Sequence, residues 1–189
     1  QLFLPSPNLI TELNNNWSKT ISTTATFQYD TTYSTIDAYT ANIKWNPDDG
    51  KVINLGFNYQ YNLPLLFYAY TPGQAFTPTS YENQYAVTAS EQWPIYENKV
   101  KAISSANYDF TRQMLLNVVG GAQYNGGCYT ISAVYQQYIF NYNQTQSVWM
   151  LNFNFKGIGN IGSGDPSTAL NLNVPGYMPI SQIQENQTP

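Results

Sequence analysis

Residues 52–62 read VINLGFNYQYN. Ile53, Leu55, Phe57, Tyr59 and Tyr61 are apolar or aromatic, while Asn54, Gly56, Asn58, Gln60 and Asn62 between them are polar or small. Successive residues of an extended strand point to opposite faces, so this period of two describes a strand with one greasy and one wet face. The same period runs outward in both directions. Upstream, Tyr39, Ala41, Ile43 and Trp45 alternate with Thr40, Asn42, Lys44 and Asn46, and residues 17–30 place Trp17, Ile21, Ala25, Phe27 and Tyr29 on one face. Downstream, residues 83–93, 99–110, 113–124, 128–140 and 147–157 repeat the pattern. The last of these sets Trp149, Leu151, Phe153 and Phe155 against Asn152, Asn154 and Lys156, beginning at Ser147. The periodicity predicts eight strands, with residues 2–13 as the remains of a ninth.

The breakers between these segments have turn chemistry. Asn46-Pro47-Asp48-Asp49-Gly50, Pro94 to Asn98 and Asn125-Gly126-Gly127 are short. Residues 63–82 carry Pro64, Pro72, Gly73 and Pro78, too many breakers for a central strand, and read as a long loop. Its Phe67, Tyr68, Tyr70, Phe76 and Tyr81 suggest a loop folded over its own aromatics rather than a ligand-contacting lid. No segment reads as a helix. The chain divides into strands over 1–157 and an irregular, extended tail over 158–189.

Composition narrows the function classes. Charged residues make up only 10% of the 189, against an average near ~25%, and Asn and Gln together number 37 (22 and 15). Seven Lys and Arg and a net charge of −4 cannot form the basic surface that nucleic acid requires. One Cys and no His leave no cluster for zinc and no imidazole base for a Ser or Cys nucleophile. The only adjacent carboxylate pair, Asp48-Asp49, belongs to a turn. The expectation is therefore no enzyme, no catalytic residue, no cofactor and no metal. No run of about 18 apolar residues is present, so a membrane-spanning helix is excluded. The first residues, QLFLPSPN, lack a basic region and an apolar stretch, so the chain is expected to be cytosolic or part of a longer precursor.

Alternation alone serves a soluble sandwich, whose greasy face is the core, and a membrane barrel, whose greasy face meets lipid. Three details favour the barrel. The wet face is mostly Asn, Gln, Ser and Thr, not the Lys and Glu that protect a solvated sheet. The aromatics Trp17, Tyr29, Tyr39, Trp45, Tyr59, Tyr61, Tyr85 and Trp93 fall near strand ends, as two interfacial girdles would. Segment lengths match the ~9–11 residues of a tilted membrane strand. Glu91 falls in the greasy register but beside Trp93 and Pro94, where an interfacial charge costs only ~0–1 kcal/mol. Mean hydropathy of −0.37 is no objection, because wet-face residues dilute the average. The short turns alternate with the long loop, so they lie on opposite sides, as periplasmic turns and extracellular loops do. Two other readings stay open: a self-contained eight-stranded barrel acting as porin or adhesin, and a secreted carbohydrate-binding β-sandwich.

Several stretches, in order, resemble a known family. They are Asn15-Asn16-Trp17-Ser18, Phe27-Gln28-Tyr29-Asp30, Asn58-Tyr59-Gln60-Tyr61, Gln92-Trp93-Pro94-Ile95, Ala106-Asn107-Tyr108-Asp109, residues 120–129 (GGAQYNGGCY), residues 153–159 (FNFKGIG) and Val174-Pro175-Gly176-Tyr177. Together they resemble the C-terminal part of LptD, the outer-membrane lipopolysaccharide-assembly family. The resemblance implies an all-β antiparallel transmembrane barrel of 26 strands, of which this chain supplies about the last eight or nine. It implies integral residence in the bacterial outer membrane with the short turns periplasmic. The implied partners are lipopolysaccharide, an LptE lipoprotein plug, an LptA periplasmic bridge and the barrel-assembly machinery during insertion. The lipid would pass into the outer leaflet through a lateral gate flanked by the last strand, with Ser147, Trp149, Leu151, Asn152, Phe153, Asn154 and Phe155. Many members carry paired cysteines at the turn that here reads Gly127-Cys128, so the resemblance also implies a disulfide from Cys128 to a cysteine outside these residues. The plain alternative is an inert free thiol. Wet-register Lys44, Lys101 and Lys156 are too few to mark a phosphate path.

Overall fold

The computed structural model describes residues 8–64, 81–96, 99–141 and 144–180. Ten strands follow one another: β1 (Asn8–Asn16), β2 (Ile21–Asp30), β3 (Thr35–Asp48), β4 (Lys51–Pro64), β5 (Tyr81–Tyr96), β6 (Val100–Asp109), β7 (Met114–Asn125), β8 (Tyr129–Asn141), β9 (Gln144–Phe155) and β10 (Gly159–Gly162). A helix, α1 (Pro166–Asn173), comes after them. The strands form one sheet in strict chain order, each antiparallel to its neighbours. Sequential antiparallel pairing needs only short reversals, which the turn residues provide. Gly50 (φ 79°) reverses β3 into β4, and Gly127 (φ 87°) reverses β7 into β8, left-handed conformations that glycine adopts without a Cβ clash.

The strands alternate direction, so the connections collect at two ends. The β1–β2, β3–β4, β5–β6, β7–β8 and β9–β10 connections share the end that carries Cys128. At the opposite end, the β2–β3 and β6–β7 turns are built alike. Asp30 Oδ1 accepts from the backbone N–H groups of Thr32 and Tyr33 (2.7 and 3.1 Å), and Asp109 Oδ1 from those of Thr111 and Arg112 (2.9 and 3.1 Å). Local carboxylate-to-backbone bonds of this kind favour turns over continued strand. The aromatic loop expected over 63–82 lies, for residues 65–80, outside the described residues.

The greasy face is the exposed one. Leu13, Ile43, Leu55, Trp149 and Leu151 are 65%, 50%, 53%, 67% and 45% exposed. The buried residues instead lie on the wet face: Gln92, Lys101, Ser105, Asp109, Gln123 and Ser132 among the polar ones, with Val52, Ile103, Val119, Val134 and Met150. A sandwich would bury the opposite face, so that reading is overturned. Among the described residues the sheet has ten strands, and its terminal strands β1 and β10 do not pair with each other, so an eight-stranded closure does not occur there either.

Four boundaries and the tail differ from expectation. The ninth strand expected over 2–13 is, among the described residues, a full strand at Asn8–Asn16. Trp17 lies before β2, in the turn that ends at Ile21, where Ser18 Oγ accepts from the backbone N–H of Thr20 and Ile21 (3.2 and 3.1 Å). Gln113 is in a left-handed turn conformation (φ 54°), so β7 starts at Met114. The last long strand is Gln144–Phe155 rather than 147–157, because Gly157 (φ 80°) turns it into β10. Residues after Gly157 were expected to lack regular structure. They form β10, which pairs with Asn152–Phe155 of β9, and then α1. The helix is only eight residues long, too short for a periodicity signal. Its start signal is nonetheless legible: Asp165 is the N-cap, Pro166 opens the first turn, and the Asp165 carboxylate accepts from Ser167 N (2.9 Å).

Candidate functional site

The candidate functional surface is the wet, enclosed face of the sheet, together with the tail that lies on it. Strand register aligns one row across this wall: Val52 pairs with Gln92, Gln92 with Ile103, Ile103 with Gly121, Gly121 with Val134, and Val134 with Met150. The row is largely apolar in a face otherwise built of amides and hydroxyls. Gly121 is required there: a Cβ would sit 2.8 Å from Val134 Cγ2 and 2.9 Å from the Ala133 carbonyl.

The tail returns over this row. Leu170, Val174, Tyr177 and Ile180 are buried, and the first three join Val52, Ile103, Val119, Val134 and Met150 in one apolar cluster. Fully burying such a side chain stabilises by roughly 1.5–3 kcal/mol. Polar contacts flank the cluster on several strands. Asn54 Nδ2 donates to the Pro175 carbonyl (3.0 Å), Met178 N to Gln92 Oε1 (3.1 Å), and Lys101 Nζ to the Met178 carbonyl (3.5 Å). Asn117 Nδ2 donates to Asn173 Oδ1, and Gln123 Nε2 to the Tyr177 hydroxyl (2.6 Å). Residues 163–180 of the tail thus form a strap that crosses the wall from β4 to β9.

Two ionisable groups of the strap are displaced. Burial pushes the Tyr177 phenol up to about 12, against a smaller opposing effect of the Gln123 hydrogen bond. Asp165 is held below the ordinary carboxylate range, first by the Ser167 hydroxyl and then by the Ser167 backbone N–H. At neutral pH the strap therefore carries a neutral phenol and a charged cap.

The residues singled out in the sequence fall as follows. Cys128 is an exposed free thiol in the β7–β8 turn, and its carbonyl accepts from Lys156 N (2.9 Å) across to the turn after β9. Ser147, Trp149, Leu151, Asn152, Phe153, Asn154 and Phe155 all lie on β9, with Asn152 and Asn154 on the inner wall. Among the described residues, beyond β9 lies only β10, opposite Asn152–Phe155, and then Ser163, whose N donates to the Leu151 carbonyl (2.9 Å). Gln144–Met150 carry no further strand on that edge among the described residues.

The aromatic residues form two rows on the outer face. Tyr39, Tyr59 and Tyr85 pair across three strands, with centroids 4.9 Å apart at each step, and Tyr29 and Tyr61 lie towards the same end. Trp45 and Trp93 stand at the cysteine end with rings 6.0 Å apart, and Trp17 is beyond the start of β2 there. Tyr85 and Trp93 are eight residues apart on β5, about 27 Å at ~3.4 Å per residue. Glu91 is on the same face, accepting from Ser104 Oγ (3.2 Å). Lys44 and Lys101 are on the inner wall near the strap, whereas Lys156 is in an exposed turn. Sequence reasoning missed the strap and its row. The signal was present as Leu170, Val174 and Tyr177, four and three residues apart, but its partners on the wall could be matched only through register.

Residues 1–99 match the family model described as LptD, LPS transport system D. The chain belongs to the LptD family. Similar curated proteins are each named LPS-assembly protein LptD. That of Chromobacterium violaceum is 25% identical over 94% of this chain and 21% of its own length. That of Nitrosospira multiformis is 24% identical over 91% and 16%, and that of Cupriavidus necator 30% identical over 74% and 15%. The chain thus spans about a fifth or less of the length of these relatives. A neighbour-ordered antiparallel sheet with its apolar face outward is, within the LptD family, a segment of the β-barrel.

Proposed function

We propose that this chain supplies the last strands of an outer-membrane barrel that inserts lipopolysaccharide into the outer leaflet. The observation that carries this reading is the inverted burial: amides, hydroxyls and a lysine are enclosed while Leu, Phe, Tyr and Trp are exposed. Such a sheet is stable where lipid covers the apolar side. The aromatic rows then act as girdles at the two interfaces, with the cysteine end periplasmic. The wall guides and does not react, and the LptD family is one of transport and assembly.

On this reading the edge of β9 is one side of the lateral gate. Its far half, Gln144–Met150, would pair with the first strand of the full barrel, while β10 occupies the near half. Paired cysteines on that first strand and at Ser147 test this. A crosslink formed by oxidation should stop lipopolysaccharide delivery, and reduction should restore it. Undiminished delivery with a complete crosslink would exclude β9 from the gate. We further propose that Cys128 bonds to a cysteine of the periplasmic portion, that an LptE plug and an LptA bridge engage the full-length protein, and that the barrel-assembly machinery inserts it.

A further inference from the structure

Between the strap and the strands β7–β10 lies a cavity of about 220 Å³. Its walls are Gln123, Ser132, Asn152, Asn154 and Asn160 from the sheet, faced by Asp165 and Tyr177 of the strap. The sheet side is amide and hydroxyl, and the strap side sets a carboxylate, a hydroxyl and a phenol among the apolar Pro166, Pro179 and Ile180. No Lys or Arg lines it among the described residues.

A second observation points to a ligand. Gln123 is only 5% exposed, and its Oε1 is buried with no partner, while its Nε2 already serves Ser132 Oγ (3.1 Å) and the Tyr177 hydroxyl (2.6 Å). Turning the amide round would exchange the roles and still leave one end unpaired, because both hydroxyls lie on the same side of it. A buried polar atom of this kind carries a cost that an incoming hydroxyl would remove.

We infer that this cavity is a subsite for one uncharged sugar unit of the passing glycolipid, and that it turns away the phosphorylated part. It deepens the transport reading above and rests on it. Amides and hydroxyls match the paired donors and acceptors of a hexose ring, and the volume holds about one such ring. The carboxylate of Asp165, held ionised by Ser167, accepts from sugar hydroxyls and repels phosphate. Asn154 on β9 and Asn160 on β10 place the sugar at the cysteine end of β9, below the half proposed as the gate, so it would hold the saccharide on its way to the gate.

The test uses the full-length protein in cells, with a photoreactive residue replacing Asn160, or replacing Asn58 on the β4 wall away from the cavity. The probes are lipopolysaccharide with its complete core and lipopolysaccharide truncated before the neutral hexoses. The Asn160 position should crosslink to the complete form and lose about fivefold on the truncated form, the scale of one neutral hydrogen bond, while Asn58 crosslinks to both alike. Asp165→Asn keeps an N-cap and should raise the Asn160 signal on the truncated, phosphate-bearing lipid; an unchanged signal would overturn the charge selection. An Asn160 signal that ignores truncation, or is absent while Asn58 crosslinks, overturns the subsite and leaves the transport reading standing. Silence at both positions removes both.

Discussion

Asp165 and Tyr177 show how single residues hold the strap in place. Asp165→Ala should weaken strap docking by about 1 kcal/mol, and Asp165→Asn by almost nothing, since both Asp and Asn cap well. Rates of tryptic cleavage after Lys156 in the full-length protein report this. The pH dependence runs in opposite directions at the two groups. Asp165 has a lowered pKa, so its contribution is present above the ordinary carboxylate range and lost as pH falls through the lowered value. Tyr177 has a raised pKa, so docking is full below 10.0 and is lost as pH climbs to about 12. Tyr177→Phe should cost about 0.5–1.5 kcal/mol, because Gln123 Nε2 then keeps Ser132 Oγ alone as its partner, and it should abolish the alkaline transition. An alkaline transition that persists in Tyr177→Phe would assign it to another tyrosine.

Among the elements, the strands were legible and the strap was not. Alternation in 39–46, 52–62 and 83–93 reaches the structure intact as β3, β4 and β5, because each side chain's face follows from pleating alone. The helix α1 depends on what lies beneath it. An eight-residue helix is marginal in water, and it persists here because Leu170 and the following Val174 enter a row contributed by six strands. Leu170→Ala should therefore cost about 2–5 kcal/mol of docking. The tail alone should become protease-sensitive while the β-sheet circular dichroism stays unchanged. Loss of the sheet signal would mean that the strap is required for the strands themselves. The pairing of β10 with only part of β9 likewise has no sequence signature, because Gly159–Gly162 carries almost no side-chain pattern.

At the scale of the whole molecule, the inverted burial governs behaviour. All four Trp are outward or at strand ends, with Trp149 67% exposed and Trp17 70%. Brominated lipids should quench Trp149 in the reconstituted full-length protein, and Trp149→Phe should remove that share of the quenching. Unchanged quenching in the variant would place Trp149 away from lipid. If Cys128 ties this segment to the periplasmic portion, full-length protein should migrate differently with and without reductant, and Cys128→Ser should abolish the difference. Equal mobility of the wild type in both conditions would leave Cys128 a free thiol.

What the sequence determined by itself was the strand inventory, the two-faced character of each strand and, through the order of several modest stretches, the family. These depend on local stereochemistry: pleating at period two, left-handed glycines in turns, and side-chain amides where charges would otherwise stand. Only the tertiary structure decided which face is enclosed and what covers it. Val52, Ile103, Gly121, Val134 and Met150 are scattered along the chain and become one row only when five registers are set together. That row is what a short, glycine-flanked tail needs in order to fold, so the strap and its cavity exist through long-range pairing that no local pattern encodes.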